Sequence, residues 1–170
     1  MSELDDAMHQ PLHARCQQLF LTRTPTDRQL LRNVIALVPR PFVSSRGRVT
    51  VEVVSSRILT TTMAGCLDLP LAQHFLASLD AWVKLGGSSL LAFHDWEKLD
   101  DYESEARQLL TPWSKANRSR FEAVHMLVPS RTIAYGIQIV NALTGDVMTA
   151  HGTRATFDKA WRQARWRGPT

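Results

Sequence analysis

Short, largely apolar runs without polar alternation, each set between stretches of helical periodicity, narrow most sharply what this chain can fold into. Residues 88–93 and 123–128 are such runs. A strand without polar alternation has both faces buried, as when helices cover a parallel sheet on both sides. Between and around these runs the helical stretches recur. Asp68 is placed to cap a helix with Pro70 in its first turn, and Leu71, Phe75, Leu79, Trp82 and Val83 give that helix one apolar stripe before Gly86-Gly87 stops it. A second helix is expected over 101–116 with Ala106, Leu109, Leu110 and Trp113 inward. A third is expected over 131–143 on Ile133, Ile137 and Val140, and a last one over 153–165 on Phe157, Ala160 and Trp161.

Upstream of the first helix the period changes to two. Val49, Val51 and Val53 alternate with Thr50 and Glu52, Ser55-Ser56 turns the chain, and 57–64 is again rich in β-branched residues, which predicts a hairpin. Residues 147–150 allow one more short strand. A hairpin followed by alternating helices and strands predicts an α/β domain with a mixed, mostly parallel sheet of four or five strands joined by right-handed helical crossovers.

The domain is expected over 46–167. Residues 1–45 differ in composition: Pro11, Pro25, Pro39 and Pro41 punctuate an Arg- and Pro-rich extension with a weak helical segment at 12–20 and a stronger one at 27–38. In the latter, Thr26 can cap, and Leu30, Leu31, Val34, Ile35 and Val38 share a face that would dock on the main domain or on a partner. At 170 residues, 44% hydrophobic and 21% charged, the chain can bury a core without disulfide or metal. No apolar stretch is long enough to span a bilayer and the first residues, Ser2-Glu3-Leu4-Asp5-Asp6, are not a secretory leader. Cys16 and Cys66 form no Cys-x-x-Cys pair, so a reducing cytoplasm fits best. The net charge of +4 comes from arginines scattered along the chain, the densest group being Arg162, Arg165 and Arg167. A nucleic-acid footprint gathers charge on one face among stacking aromatics, so nucleic acid is not the expected partner.

Leu90 to Asp101 is the stretch richest in chemistry, because an apolar strand ends there in carboxylates, where α/β domains commonly meet ligand or partner. The acids Asp95, Glu97, Asp100, Asp101, Glu103 and Glu105 suit a solvated rim better than a Mg²⁺ site, since no phosphate-cradling Gly-rich loop accompanies them. His94 and His151 fall at strand ends, where imidazole and carboxylate could meet, whereas His125 sits inside a strand. Cys66 lies between apolar neighbours, which raise a thiol pKa and leave it inert. No Gly-x-Ser-x-Gly elbow occurs. No catalytic residue, metal or cofactor is therefore assigned. Trp96 and Tyr102 bracket the acids; an indole combines apolar area with a polar N–H and suits a mouth or an interface.

The order of elements, together with 60–67, 90–95, the helix at 102–113 and the helix at 157–161, is similar to the STAS family of sulfate-transporter and anti-sigma-factor-antagonist domains. It looks closest to small stand-alone bacterial STAS-like proteins, some of them grouped with the CRAL-TRIO lipid carriers. The resemblance covers roughly 49–165. It implies that a strand-end acid, here Asp95, is followed by an Asp-Ser pair opening the next helix, the serine being a phosphorylation switch. On that alignment Asp100 and Asp101 occupy the pair, so the switch position carries a permanent carboxylate, a mimic of the switched state or a plain N-cap, with Ser104 as a substitute acceptor. The function expected is a non-enzymatic regulatory module that binds a protein partner through 93–104, with His94, Asp95, Trp96, Asp100, Asp101 and Tyr102 as the binding residues. The alternative is a carrier or sensor of a lipid or other small hydrophobic ligand, held against Trp96, Tyr102 and apolar helix faces as the carrier resemblance implies.

Overall fold

The structure is a computed structural model and describes residues 41–85, 89–128 and 130–166. The expected helices at 12–20 and 27–38 and the Gly86-Gly87 stop lie outside the described residues. Strands β1 (Phe42–Val43), β2 (Gly47–Val53) and β3 (Ile58–Leu67) form an antiparallel meander, and β4 (Leu90–Tyr102), β5 (Phe121–Leu127) and β6 (Met148–His151) continue it in parallel. The sheet is mixed and six-stranded, in the order β1-β2-β3-β4-β5-β6. Its additional member is β1, a two-residue edge strand just upstream of the expected hairpin.

Helices α1 (Leu69–Leu85), α2 (Ser104–Asn117), α3 (Arg131–Thr144) and α4 (Arg154–Trp166) make the connections and close the chain. The first three contribute Leu71, Phe75, Leu79, Trp82, Ala106, Ile133 and Ile137 to a large core on one sheet face. α4 covers the other face over β4 and β5, where Phe157 and Trp161 pack on Leu91, Phe93 and Leu127. Leu90 to His94 is thus buried at every position, as its unalternated composition requires. The Asp68 carboxylate accepts the Leu71 N–H at 3.0 Å, so the expected cap of α1 is present. Leu71, Phe75, Leu79, Trp82 and Val83 are all buried, each worth about 1.5–3 kcal/mol in transfer from water.

The strand carrying the acids departs from expectation. β4 does not stop at Phe93, and α2 does not open at Asp101. The strand runs to Tyr102, paired with β3 up to Leu67, and the helix begins at Ser104 after an N-cap at Glu103. Two register slips allow this, one between Thr62 and Ala64 and one between Gly65 and Cys66, and at each β4 holds one residue more than β3. An extra residue reverses the face taken by the residues beyond it. Trp96 and Leu99, three apart, are consequently both buried on the large-core side, and Tyr102 packs against the same core. Gly65, at the second slip, has a φ of +81°, and a Cβ there would sit 2.4 Å from the Arg46 carbonyl oxygen, so the position takes only glycine without strain.

Candidate functional site

Pairing of β4 with β5 ends at Asp95, opposite Leu127, so from Trp96 onward β4 is flanked by β3 alone. The gap is roofed by α2 and α3. Beneath them lies a cavity of about 140 Å³, walled chiefly by Phe75, Trp96, Tyr102, Trp113, Phe121 and Ile137. Of the residues expected to bind, His94, Trp96 and Tyr102 line this cavity. Trp96 is 8% exposed, stands edge-on to Phe75 at 6.0 Å between ring centroids, and has no acceptor for its indole N–H among the described residues. Tyr102 spans toward α3, where Gly136 gives it room: a Cβ at 136 would lie 2.9 Å from the phenol oxygen.

His94 is buried and its Nδ1 lies 2.8 Å from the Thr61 hydroxyl, on the strand alongside. Burial without a compensating charge lowers its pKa to about 3, so the imidazole is neutral. Among the described residues it meets no carboxylate. His151 is likewise away from the acids, with Nε2 at 3.1 Å from Nδ1 of His125. Burial lowers the pKa of both of these histidines, His151 adding to the effect on His125. His125 is half-buried and stacked on Phe93.

The acids divide. Asp95 turns to the α4 face, where Arg154 donates to it at 2.7 Å and to Glu97 at 2.5 Å. Those two hydrogen bonds raise the Arg154 pKa further. Asp100 and Asp101 are exposed and carry no cationic partner among the described residues; Asp101 accepts only the N–H of Tyr102, at 2.8 Å. Asp101 therefore neither caps α2 nor occupies its first position. Ser104 does occupy it, exposed and directly after the acidic Glu103. Glu103 reaches back across the fold, accepting the Leu69 N–H at 3.1 Å and Arg46 at 2.5 Å, and so ties the start of α1 to the start of α2. Burial pushes the Cys66 thiol up, against a smaller opposing effect of Arg46. Among the described residues no three His, Cys, Asp or Glu side chains converge as metal ligands would.

The pattern of the sequence leaves several cavity residues unmarked. Arg107 on α2 lines the cavity and is exposed, which places it at the mouth, and Phe75, Trp113 and Ile137 read only as helix stripes. No helix among the described residues is long and apolar enough to cross a membrane.

No protein-family model and no curated protein matches the sequence. Solved structures do match in shape. An uncharacterised protein of the DUF3478 family with a SpoIIAA-like fold, from Shewanella loihica PV-4, superposes with a TM-score of 0.57 at 12% identity over 70% of this chain and 98% of that one. The anti-sigma factor antagonist SpoIIAA in its unphosphorylated form superposes with a TM-score of 0.51 at 17% identity, over 71% of this chain and 99% of that one. Hairpin, parallel extension and helical crossovers come in one order in the sequence expectation and in the coordinates. By fold, this chain has a SpoIIAA-like architecture.

Proposed function

We propose that the chain is a non-enzymatic regulatory module that engages a protein partner through the outward part of the 93–104 edge, namely Asp100, Asp101 and Ser104. The observation that carries this reading is the pair of exposed carboxylates without a cationic partner among the described residues, beside an exposed serine at the first position of a helix. Exposed acids at a strand end suit a basic partner surface, and phosphate on Ser104 would add charge at a helix N-terminus, where it is favoured. The SpoIIAA likeness adds that a scaffold of this shape serves an anti-sigma factor antagonist. Asp95 contributes to the opposite face through Arg154, and His94, Trp96 and Tyr102 act from within. The test is affinity capture from the host cell with the wild-type chain, Asp101→Lys and Ser104→Glu. A partner held by the wild type and lost from Asp101→Lys supports the edge; a partner bound equally by all three removes it.

A second reading is favoured by the cavity itself: the domain senses a small hydrophobic ligand. An apolar cavity of about 150 Å³ takes a single benzene, and at about 140 Å³ this one is sized for a ring and would hold only part of a long acyl chain. The ligand class that fits is therefore smaller than the membrane lipid that the carrier resemblance implies. Stabilisation of the native chain by a small arene and not by palmitate would support this version.

A further inference from the structure

We propose that the cavity beneath Trp96 receives a single-ring aromatic carboxylate, its ring among the aromatic walls and its carboxylate on Arg107. The proposal rests on the ligand-sensing reading and names the class of ligand. Volume comes first: about 140 Å³ accommodates one six-membered ring with little to spare. The wall chemistry selects the kind of ring. Phe75 and Trp96 meet edge-to-face at 69°, Trp113 and Phe121 at 70°, and Tyr102 completes a box whose edges and faces suit a flat π-system.

Charge then selects the substituent. Among the described residues no Asp or Glu lines the cavity, so a cationic ligand finds no counter-ion from them there. Two guanidiniums do line it. Arg118 is engaged, its Nε and Nη2 donating to the Gly145 carbonyl at 3.2 and 2.6 Å. Arg107 has no acceptor for its guanidinium among the described residues and stands at the mouth, where a carboxylate can be held by a fork of two N–H groups. Trp96, which lines the cavity, has a buried N–H without an acceptor among the described residues, and a buried orphan donor favours a guest that brings an oxygen. Unfilled donors and the absence of acidic groups together point to an anion with an apolar body.

The experiment uses the full chain with benzoate, toluene, benzylamine and palmitate as probes, read by calorimetry, by tryptophan emission and by thermal shift. Benzoate is expected to bind and benzylamine, equal in bulk and opposite in charge, is expected not to. Arg107→Gln should weaken benzoate at least about tenfold and leave toluene unchanged, since Arg107 is on the surface and its loss does not disturb the core. Trp96→Phe should weaken benzoate with a smaller effect on toluene. Filling the space with Ile137→Phe, or with Leu110→Phe should the first not fold, should abolish both. Equal binding of benzoate and benzylamine, or an Arg107→Gln chain that binds benzoate normally, overturns the carboxylate assignment while toluene binding keeps the cavity reading alive. Failure of every probe, toluene included, overturns the cavity reading as well, and preferential binding of palmitate overturns the size limit.

Discussion

Replacing His94 by glutamine should flatten the acid side of the stability profile. In the folded chain His94 is buried against Thr61, Phe75 and Trp96 and stays neutral down to about pH 3, because burial disfavours the imidazolium. In the unfolded chain the same ring takes a proton as the pH falls through its ordinary value of 6.5. The unfolded state thus binds more protons between the two values, so stability is fully present above about pH 6.5 and is lost as the pH falls toward 3. At about 1.4 kcal/mol for each pH unit, the whole window is worth about 5 kcal/mol. The part between roughly pH 7.5 and roughly pH 5 is about 2 kcal/mol. Urea unfolding across that interval measures it directly. The wild type should lose about 2 kcal/mol more than His94→Gln, with the difference growing steadily as the medium becomes more acidic. His125 and His151 shift in the same direction, but both chains carry them and they cancel in the comparison. Parallel profiles for the two proteins would refute the reasoning, since they would mean that His94 is hydrated or paired and takes up its proton in the folded state.

Glu103→Ala should lower stability by about 1–2 kcal/mol, because it removes the acceptor for the Leu69 N–H and the partner of Arg46, whereas Glu103→Gln should keep part of the first contact; denaturant midpoints decide. Gly136→Ala should gain about 1 kcal/mol of helix propensity only in a Tyr102→Phe background, and less or nothing when the phenol oxygen is present 2.9 Å from the new Cβ. A double-mutant cycle on thermal or urea unfolding reads this coupling. Phe157→Ala should cost about 3–5 kcal/mol, as Phe157 is 6% exposed and central to the only described helix on its side of the sheet. Loss of the edge-to-face contact with Phe93 should accompany it in the aromatic NMR signals.

Local signals are legible where one element explains itself. The stripe from Leu71 to Val83, the Asp68 cap and the unalternated Leu90 to Phe93 run each require only their own neighbourhood, and each is found where the pattern places it. The second half of β4 is hidden in the sequence because Glu97, Lys98, Asp100 and Asp101 look like a solvated loop. Charges are tolerated there since β5 pairing has ended and one side of the strand is an edge, where charged residues also discourage pairing with other chains. A trace of the strand is present in Trp96, Leu99 and Tyr102, but their spacing of three arises from two inserted residues and matches neither a strand nor a helix template. Contacts across the chain are out of reach altogether. Glu103 finds Leu69 and Arg46, Asp95 finds Arg154, and His94 finds Thr61 only once the sheet is assembled. The cavity is of the same kind: Phe75, Trp113 and Ile137 carry the periodicity of core residues, and periodicity is identical whether the facing helices meet or leave a gap.

The irregularities of β4 also determine which property each substitution along it changes. Before the first slip, successive residues alternate between the two cores, so that His94 reaches Phe75 while Asp95 reaches Arg154. After it, Leu99 and Tyr102 are held inward and Asp100 and Asp101 are left outside. A change at Asp100 or Asp101 therefore alters the charge of the rim without altering the volume or polarity of the cavity, and a change at Trp96 does the reverse. Tyr102 is the exception. Its side chain walls the cavity while its backbone is the last residue of the strand, one residue before the Glu103 cap and two before Ser104. If the cavity takes a guest as proposed, the Tyr102 ring against Gly136 is a direct physical connection between that guest and the start of α2, because a guest that displaces the phenol must do so against the backbone that leads into the helix.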